Sequence, residues 1–346
     1  MSKHRVAILL GILGFAGMAL STAAPRPEGS GYHLLKKYQV GGEGSWDYLK
    51  IDSVARRLYI SRGTHVMVLN ADTGEVAGDI PDTQGVHGIA LAPELGRGFT
   101  SNGRSSTVTI FDMKTLKVLG EAKTDTGPDG IIYDPASKRV FAFNGRGNSS
   151  TAIDAATGNV AGTIPLDGRP EFAAADGAGH VYNNLEDKSI VVQIDSKSLK
   201  VLNRWPLAPC EEPSGMAIDT EHRRLFIGCH NQMMAVMDAD TGKIVATPAI
   251  GKGVDANRFD PATGLAFSSN GEGTLTVVHE DSPDKFTVVD NVQTQRGART
   301  MALDTKTHNV YLVTAEFGPP PAATAENPRP RPTMVPNSFV VLVFGR

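Results

Sequence analysis

The sequence predicts an all-β fold, a seven-bladed β-propeller built from four-stranded antiparallel blades. Three observations support this prediction. A unit of about 40 residues recurs seven times, each copy is a series of short apolar runs bounded by turn residues, and the last copy lacks one strand. Repeats of this kind stack radially around a channel, because one small sheet cannot bury both of its faces alone.

The clearest copy of the unit covers residues 215–250. It reads as short strands at 216–218, 225–228, 233–237 and 243–250, separated by polar turns. Runs this short, apolar or alternating and flanked by Gly, Asp and Thr, favour strand over helix. The unit therefore predicts one four-stranded antiparallel sheet.

The period is measured from an anchor position that precedes the aromatic residue of each second strand. The anchor lies seven residues before that aromatic residue in six copies and six residues before it in one. Successive anchors are 40 to 44 residues apart, and they are Asp52, Ala92, Asp134, Asp176, Asp219, Asp260 and Asp304. Such regular spacing over the whole chain favours a propeller over a chance series of hairpins.

Blade boundaries follow from the same period. Units one to six are predicted at 46–81, 86–123, 129–165, 171–207, 214–250 and 255–292. The seventh unit has only three strand-like runs, at 299–303, 310–314 and 338–344. The unassigned run 32–40 is therefore predicted to complete the last blade. Closing the ring in this way removes the exposed strand edges of an open array.

The N-terminal residues 1–23 are predicted to be a signal peptide. A basic start, Lys3 to Arg5, precedes the apolar stretch 6–20 and the small residues 21–23. The alternative is an uncleaved anchor helix. Residues 24–31 then form a linker and residues 32–346 the propeller. We expect a periplasmic or secreted protein with no membrane attachment after cleavage.

Composition and charge limit the classes of partner. The chain has 346 residues, of which 40% are hydrophobic, and a formal net charge of −3. Removing Lys3 and Arg5 with the signal peptide lowers this charge to −5. The balance gives no reason to expect nucleic acid as a partner. We expect a monomer that binds a small molecule or a protein.

The two cysteines indicate a disulfide. Cys210 lies just before the first strand of the fifth unit and Cys229 ends its second strand, and antiparallel neighbours bring such positions together. An oxidising compartment favours the bond. A free thiol or a metal site that includes His230 is the alternative.

Turns and one insertion complete the pattern. The turns 70–74, 154–158 and 238–242 each begin with an acid or amide and end in Thr-Gly. The acid or amide side chain accepts hydrogen bonds from backbone N–H groups of the turn, and the glycine supplies positive φ. These acids are predicted to be structural.

The one insertion in the pattern is the Pro-rich loop 316–337 of the seventh unit. It is either an unstructured surface loop or a lid or partner-docking arm.

Second strands reading LYIS, VFAF, VYNN, LFIG and VYLVT precede polar loops and DxxTG turns. With the 40 to 44 residue period, this pattern resembles the YVTN-type β-propeller repeats of exported bacterial and archaeal proteins. The resemblance covers 32–346 and implies a seven-bladed fold. The wider group is similar to lactonase-like propellers, but the chain has no contiguous catalytic motif and no repeated Trp-Asp pair.

Candidate functional residues lie around the channel on one face of the predicted ring. Five residues before the anchors, every position is polar or charged: Asp47, His87, Asp129, Glu171, Ser214, Asp255 and Arg299. A second ring at the ends of the second strands contains Arg62, Asn102, Asn144, Asn184, His230, Asn270 and Glu316. We predict that the first ring, with Asn144, Asn184 and His230, binds the ligand.

Three interpretations of this ring remain open. It lines a wet pore, or it holds a divalent cation such as Ca²⁺ through the oxygens of Asp47, Asp129, Glu171 and Asp255. His87 would allow a transition metal instead. In the third interpretation the ring hydrolyses a lactone, with Glu171, Asp255 or His87 as general base and a metal or Arg299 polarising the carbonyl.

The leading functional hypothesis is a binding scaffold for a small ligand or protein partner on the polar channel face, with the Pro-rich loop as a mobile contact. The alternative is a metal-assisted hydrolase of lactone-like substrates. A third is an accessory protein of a periplasmic oxidoreductase system. Whether the protein is an enzyme is left open by the sequence.

Overall fold

The computed structural model describes residues 29–42, 44–322, 324, 330 and 332–346. The predicted signal peptide and the linker residues 24–28 lie outside the described residues. Seven four-stranded antiparallel sheets form the molecule, which confirms the predicted seven-bladed propeller. In every blade the strands are neighbours in chain order, except in the last, where β1 lies beside β28.

The first three blades follow one another without insertions. Blade 1 contains β2 (Leu49–Asp52), β3 (Arg57–Ser61), β4 (Val66–Asn70) and β5 (Val76–Ile80). Blade 2 contains β6 (Val86–Ala92), β7 (Arg97–Asn102), β8 (Thr107–Asp112) and β9 (Val118–Lys123). Blade 3 contains β10 (Pro128–Asp134), β11 (Arg139–Asn144), β12 (Ser149–Asp154) and β13 (Val160–Pro165).

The remaining blades complete the ring. Blade 4 contains β14 (Pro170–Ala175), β15 (His180–Leu185), β16 (Ile190–Asp195) and β17 (Lys200–Pro206). Blade 5 contains β18 (Pro213–Asp219), β19 (Arg224–Cys229), β20 (Met233–Asp238) and β21 (Ile244–Ala246). Blade 6 contains β22 (Val254–Asp260), β23 (Leu265–Asn270), β24 (Thr274–Ser282) and β25 (Lys285–Gln293). Blade 7 contains β26 (Met301–Asp304), β27 (Asn309–Thr314), β28 (Val340–Gly345) and β1 (His33–Gln39).

Helical structure is limited to two single turns of 3-10 helix, Pro93–Leu95 and Glu186–Lys188, within the described residues. No helix in that part of the chain is long and apolar enough to cross a bilayer. One strand is shorter than predicted, since β21 ends at Ala246 instead of continuing to 250. Pro248 has no N–H to donate to the ladder, which explains the early end.

The core lies between neighbouring blades. The repeated aromatic residue of the second strand is 1% exposed or less in every blade: Tyr59, Phe99, Phe141, Tyr182, Phe226, Phe267 and Tyr311. Because blades pack face to face, both faces of a second strand are covered. These strands therefore read as continuous apolar runs instead of alternating apolar and polar residues. The outermost strands, such as β1 and β17, are largely exposed.

Strand β1 closes the ring. It pairs antiparallel with β28, from His33 opposite Gly345 to Gln39 opposite Val340. The Tyr38 hydroxyl also donates to the Asp72 carbonyl of blade 1 at 2.7 Å. The Tyr38 ring lies over Gly74, where an added Cβ would be 2.2 Å from the ring, so this turn requires glycine. The N-terminal strand therefore completes the last blade, as predicted, and also contacts the first blade.

Side chains link neighbouring blades at the turn after each inner strand. The residue four positions after the anchor has positive φ in six blades. In three of these blades it also contacts the anchor carboxylate of the preceding blade. These pairs are Arg56 with Asp304, Arg223 with Asp176 and His308 with Asp260. All three carboxylates have fully buried side chains. The structural role predicted for turn acids thus extends to contacts between blades.

Replacing Arg223 by Met is expected to lower the free energy of unfolding by roughly 2–4 kcal/mol. The guanidinium contacts the buried Asp176 carboxylate at 2.9 Å and the Tyr182 hydroxyl at 2.8 Å, and its loss leaves a buried charge short of a partner. Urea denaturation measures the change. Lys285→Met is the control, because Lys285 is 73% exposed in its pair with Asp281 and should change stability by less than about 1 kcal/mol. Equal effects of the two substitutions would contradict the prediction.

Cys210 and Cys229 form a disulfide, with an S–S distance of 2.01 Å. Both residues are buried, and the bond ties the loop before β18 to the end of β19. A closed loop of about 20 residues stabilises the fold by roughly 3 kcal/mol on chain-entropy grounds. His230 is not part of this contact and lies near Glu212 instead.

Candidate functional site

The first ring lies at one mouth of the central channel, at or just before the start of each inner strand. Five of its members are the second residues of β6, β10, β14, β18 and β22, while Asp47 and Arg299 precede β2 and β26. His87 Nδ1 lies 2.6 Å from Asp47 Oδ2 and 3.7 Å from Asp129 Oδ1. Glu171 and Asp255 interact electrostatically with both acids. The structure therefore brings these charged positions together.

Hydrogen bonds between blades hold the backbone of the ring. The Ser101 hydroxyl donates to the Asp129 carbonyl, and Ser214 Oγ donates to the Asp255 carbonyl at 3.1 Å. Asn184 Nδ2 donates to the Ser214 carbonyl at 2.7 Å. Ser214 is only 4% exposed, so its side chain contributes to positioning and not to the open surface of the mouth.

A glycine lets two inner strands approach each other at this level. A Cβ added at Gly215 would lie 2.5 Å from the Asn257 backbone nitrogen of the next blade. Any larger residue would push the strands apart. The narrow spacing brings the ring positions Ser214 and Asp255 of the two strands within hydrogen-bond distance.

His87 bridges two acids. Burial acts to lower the pKa of His87, but the hydrogen bond to Asp47 and the charge of Asp129 outweigh it, so this pKa lies above its ordinary value. A protonated His87 therefore bridges Asp47 and Asp129 more readily than a neutral one.

The carboxylates across the mouth are only partly balanced by positive charge. Burial raises the pKa of Asp255 to about 7 even though Arg299 acts to lower it. Burial raises the pKa of Asp129 to about 6, partly offset by His87. Burial and the neighbouring acids Asp129 and Asp255 raise the pKa of Glu171 well above its usual range. The mouth therefore favours the binding of protons or of other cations near neutral pH.

The second ring lies deeper than expected. Asn144 is fully buried and donates to the hydroxyls of Ser149 and Thr151, both at 3.0 Å. Asn102 and Asn270 make equivalent bonds inside their own blades. These amides thus cross-link the second and third strands. Arg62 is buried under the ring of Phe339, and His230 lies 3.3 Å from Glu212, away from the other predicted ligands.

An aromatic contact crosses the channel below the mouth. The Tyr48 ring of blade 1 stacks on the Phe172 ring of blade 4, with 4.7 Å between centroids, and the Arg258 guanidinium lies 5.9 Å from the same Phe172 ring. These residues were missed by the sequence reasoning. The sequence does contain a signal for this contact. At the position after the ring residue, three blades have glycine, whereas blades 1 and 4 have a bulky aromatic residue.

A cavity of about 480 Å³ lies beside the mouth. Trp46, Phe317, Met334 and Arg299 line it. Phe317 and Met334 pair as an isolated bridge at the base of the Pro-rich loop, and Phe317 is 49% exposed. The base of this loop therefore forms one wall of a pocket that opens next to the charged ring. The loop residues 323, 325–329 and 331 lie outside the described residues.

One group of potential metal ligands is present at the mouth. Ligand atoms of Asp47, His87 and Asp129 all lie within 4.8 Å of one another. The mixed nitrogen and oxygen donors fit a divalent ion such as Zn²⁺ or Mn²⁺ better than an all-oxygen site for Ca²⁺. Of the four acids predicted as ligands, Asp47 and Asp129 belong to this group, and Glu171 and Asp255 lie outside it. A second group, Asp219, His222 and Glu280, joins blades 5 and 6.

Comparisons with known proteins show the fold. No protein-family model and no curated protein matches the chain. The WD40 repeats of RRP9 superpose with a TM-score of 0.74 at 9% identity, covering 91% of this chain and 97% of that one. A structure of U3-55K gives 0.73 at 9% identity, over 90% and 98%. A chain of a mitotic checkpoint complex gives 0.73 at 13% identity, over 97% and 99%.

Identities this low establish a shared propeller architecture and nothing about ligands. The seven-bladed β-propeller is thus supported by the strand topology and by its structural neighbours. The narrower YVTN-type assignment stays a prediction. Function must be argued from the channel face.

Proposed function

We propose that this protein is an exported binding scaffold that takes a cationic ligand at the acidic mouth of its channel. The ligand is a divalent metal ion or the basic group of a small molecule or protein partner. The observation that carries the proposal is the arrangement of Asp47, Asp129, Glu171 and Asp255 around one opening, with His87 and Arg299 as the positive members of the same ring. A bound cation would replace protons that Asp129, Glu171 and Asp255 otherwise retain.

Two further observations support a ligand at this place. Tyr48 Oη is buried and has no hydrogen-bond partner among the described residues, and it lies in the electrostatic field of all four acids. The cavity lined by Trp46 and Phe317 offers apolar and aromatic surface beside the charged ring. A ligand with a cationic head and an apolar body fits this combination.

Calorimetric titration with Zn²⁺, Mn²⁺, Ca²⁺ and spermidine tests the proposal. We expect binding by at least one of these cations, with proton release when the titration is repeated in buffers of different ionisation enthalpy. Asp129→Asn and Asp255→Asn should each weaken binding at least about tenfold, the usual effect of losing one charged partner. The metal and spermidine arms distinguish an inorganic from an organic ligand.

Glu75→Gln is the matched control, because Glu75 is an exposed acid in the β4–β5 turn, at the opposite end of the blade. This substitution should leave the binding constant unchanged. Titrations without heat for all four probes, or equal effects of Glu75→Gln and Asp129→Asn, would refute the proposal.

A metal-assisted hydrolase is the second candidate, favoured by the position of Glu171 near the Asp47, His87 and Asp129 group. A carboxylate with so high a pKa is suited to accept the proton of a water molecule that attacks a lactone carbonyl. A metal held by that group would polarise the carbonyl oxygen when bound. The test is to assay the cation-loaded protein and its Glu171→Gln variant for hydroxy-acid formation from γ-lactones. This assay distinguishes binding alone from turnover.

A further inference from the structure

The lower half of the channel differs in charge from the mouth. Beneath the Tyr48–Phe172 stack lies a cavity of about 460 Å³, lined by residues from blades 1 to 6. A smaller cavity of about 260 Å³ adjoins blades 6, 7 and 1. Lys50 and Arg258 line both cavities, so these two cations lie where the two cavities meet.

Neither cation has an ion-pair partner among the described residues. Arg258 donates through Nη1 to the Asn257 carbonyl at 2.7 Å, and the Lys50 amine makes no side-chain hydrogen bond within the described residues. Lys50 is exposed to the channel solvent, yet the surrounding inner strands desolvate its amine and, with Arg258 nearby, lower its pKa to about 8. Two neighbouring cations without a counter-charge favour an anion between them.

The other charged groups that face this space are already paired. Asp176, which lines the larger cavity, has a fully buried side chain bonded to Arg223 and His180. The Tyr133 hydroxyl donates to Glu94. Asp255 attracts Arg258 from the mouth but forms no ion pair with it in the described structure. An anion entering from below therefore meets Lys50 and Arg258 without competition from a free carboxylate.

The walls of the larger cavity combine apolar side chains with polar groups. Ile89, Ile132, Met216 and Phe259 contribute apolar side chains to them, and Phe172 forms part of the boundary below the mouth. The volume lies within the range of about 300–1,000 Å³ found for small-molecule sites, in which a few polar groups orient a largely apolar ligand. The combination matches a ligand with an anionic head and an apolar body.

We propose that the lower channel is a binding site for a small organic anion. Lys50 and Arg258 hold its carboxylate, sulfonate or phosphate oxygens, and the apolar side chains of the cavity wall hold its body. This site lies on the opposite side of the Tyr48–Phe172 stack from the acidic mouth. It therefore does not depend on the function proposed for the mouth.

Titration with 2-naphthoate tests this site, with neutral 2-naphthamide and inorganic phosphate as comparison probes. We expect naphthoate to bind at least about tenfold more tightly than naphthamide, because only the anion meets both cations. Lys50→Met should weaken naphthoate binding at least about tenfold, whereas Lys50→Arg should stay within about threefold of the original protein. Binding of phosphate alone would assign the affinity to the anionic head.

Lys123→Met, an exposed lysine of β9, is the matched control and should leave naphthoate binding unchanged. The circular dichroism spectra of all variants verify folding before titration. Equal affinity for naphthoate and naphthamide, no binding at about 1 mM, or an unaltered Lys50→Met variant would overturn the proposal.

Discussion

A chain that begins at Gly41 is expected to lose the cooperative unfolding transition that a chain beginning at Gly29 shows. The shorter chain lacks β1, so the backbone groups of β28 on that side lose their partners. Every residue of β28 is buried in the closed ring. An exposed apolar edge strand is a template for pairing with other chains, and we expect the shorter chain to aggregate.

Side-chain contacts add to the loss. Tyr32 is 5% exposed, its ring meets Phe267 of blade 6 edge-on at 5.0 Å, and its hydroxyl donates to the His308 carbonyl at 2.6 Å. Replacing a buried aromatic residue by Ala costs roughly 3–5 kcal/mol, so Tyr32→Ala alone should destabilise strongly. The segment thus connects blades 6, 7 and 1.

Thermal unfolding followed by circular dichroism and light scattering measures this effect. A synthetic peptide of residues 31–41 should restore the transition of the shorter chain by adding the missing strand in trans. Lys37→Ala, an exposed change within β1, is the control and should alter stability by less than about 0.5 kcal/mol. Cooperative unfolding of both chains at one temperature would contradict the role assigned to β1.

Lowering the pH from about 8 to about 5 is expected to increase the free energy of unfolding. The folded-state pKa of Asp255 is about 7 and that of Asp129 about 6, against an ordinary value of 3.8. Between the ordinary and the raised pKa, the folded protein binds more protons than the unfolded chain, so stability falls as the pH rises. The raised pKa of His87 acts in the same direction. For Asp255 alone, 9% exposed, the effect over this pH range reaches ~3 kcal/mol.

Urea denaturation at both pH values measures this dependence. Asp255→Asn and Glu171→Gln should each stabilise the protein at the higher pH and flatten the pH profile, since neither amide becomes charged. Glu75→Gln should leave the profile unchanged. A profile that Asp255→Asn does not alter would show that this carboxyl is ionised in the folded protein without penalty.

The candidate site was only partly predictable. The ring positions follow from the repeat, because the residue five positions before the anchor lies at the same level along the channel axis in every blade. The Asn144 amide occupies a repeat position too, but nearby hydroxyls on the third strand hold it inside the blade. The Tyr48–Phe172 stack joins residues of blades 1 and 4, and no local pattern specifies such a partner.

The amino-acid sequence by itself determined the seven blades, their strands and the closure by β1, since period, apolar runs and turn residues act locally within each unit. Only the tertiary structure decided which charged groups share a solvent-poor space. The closed ring places acids from blades 1, 3, 4 and 6 at one mouth, and Lys50 beside Arg258 below it. Their pKa values and ligand preferences arise from burial and from charges distant in the chain, which depend on how all seven blades meet.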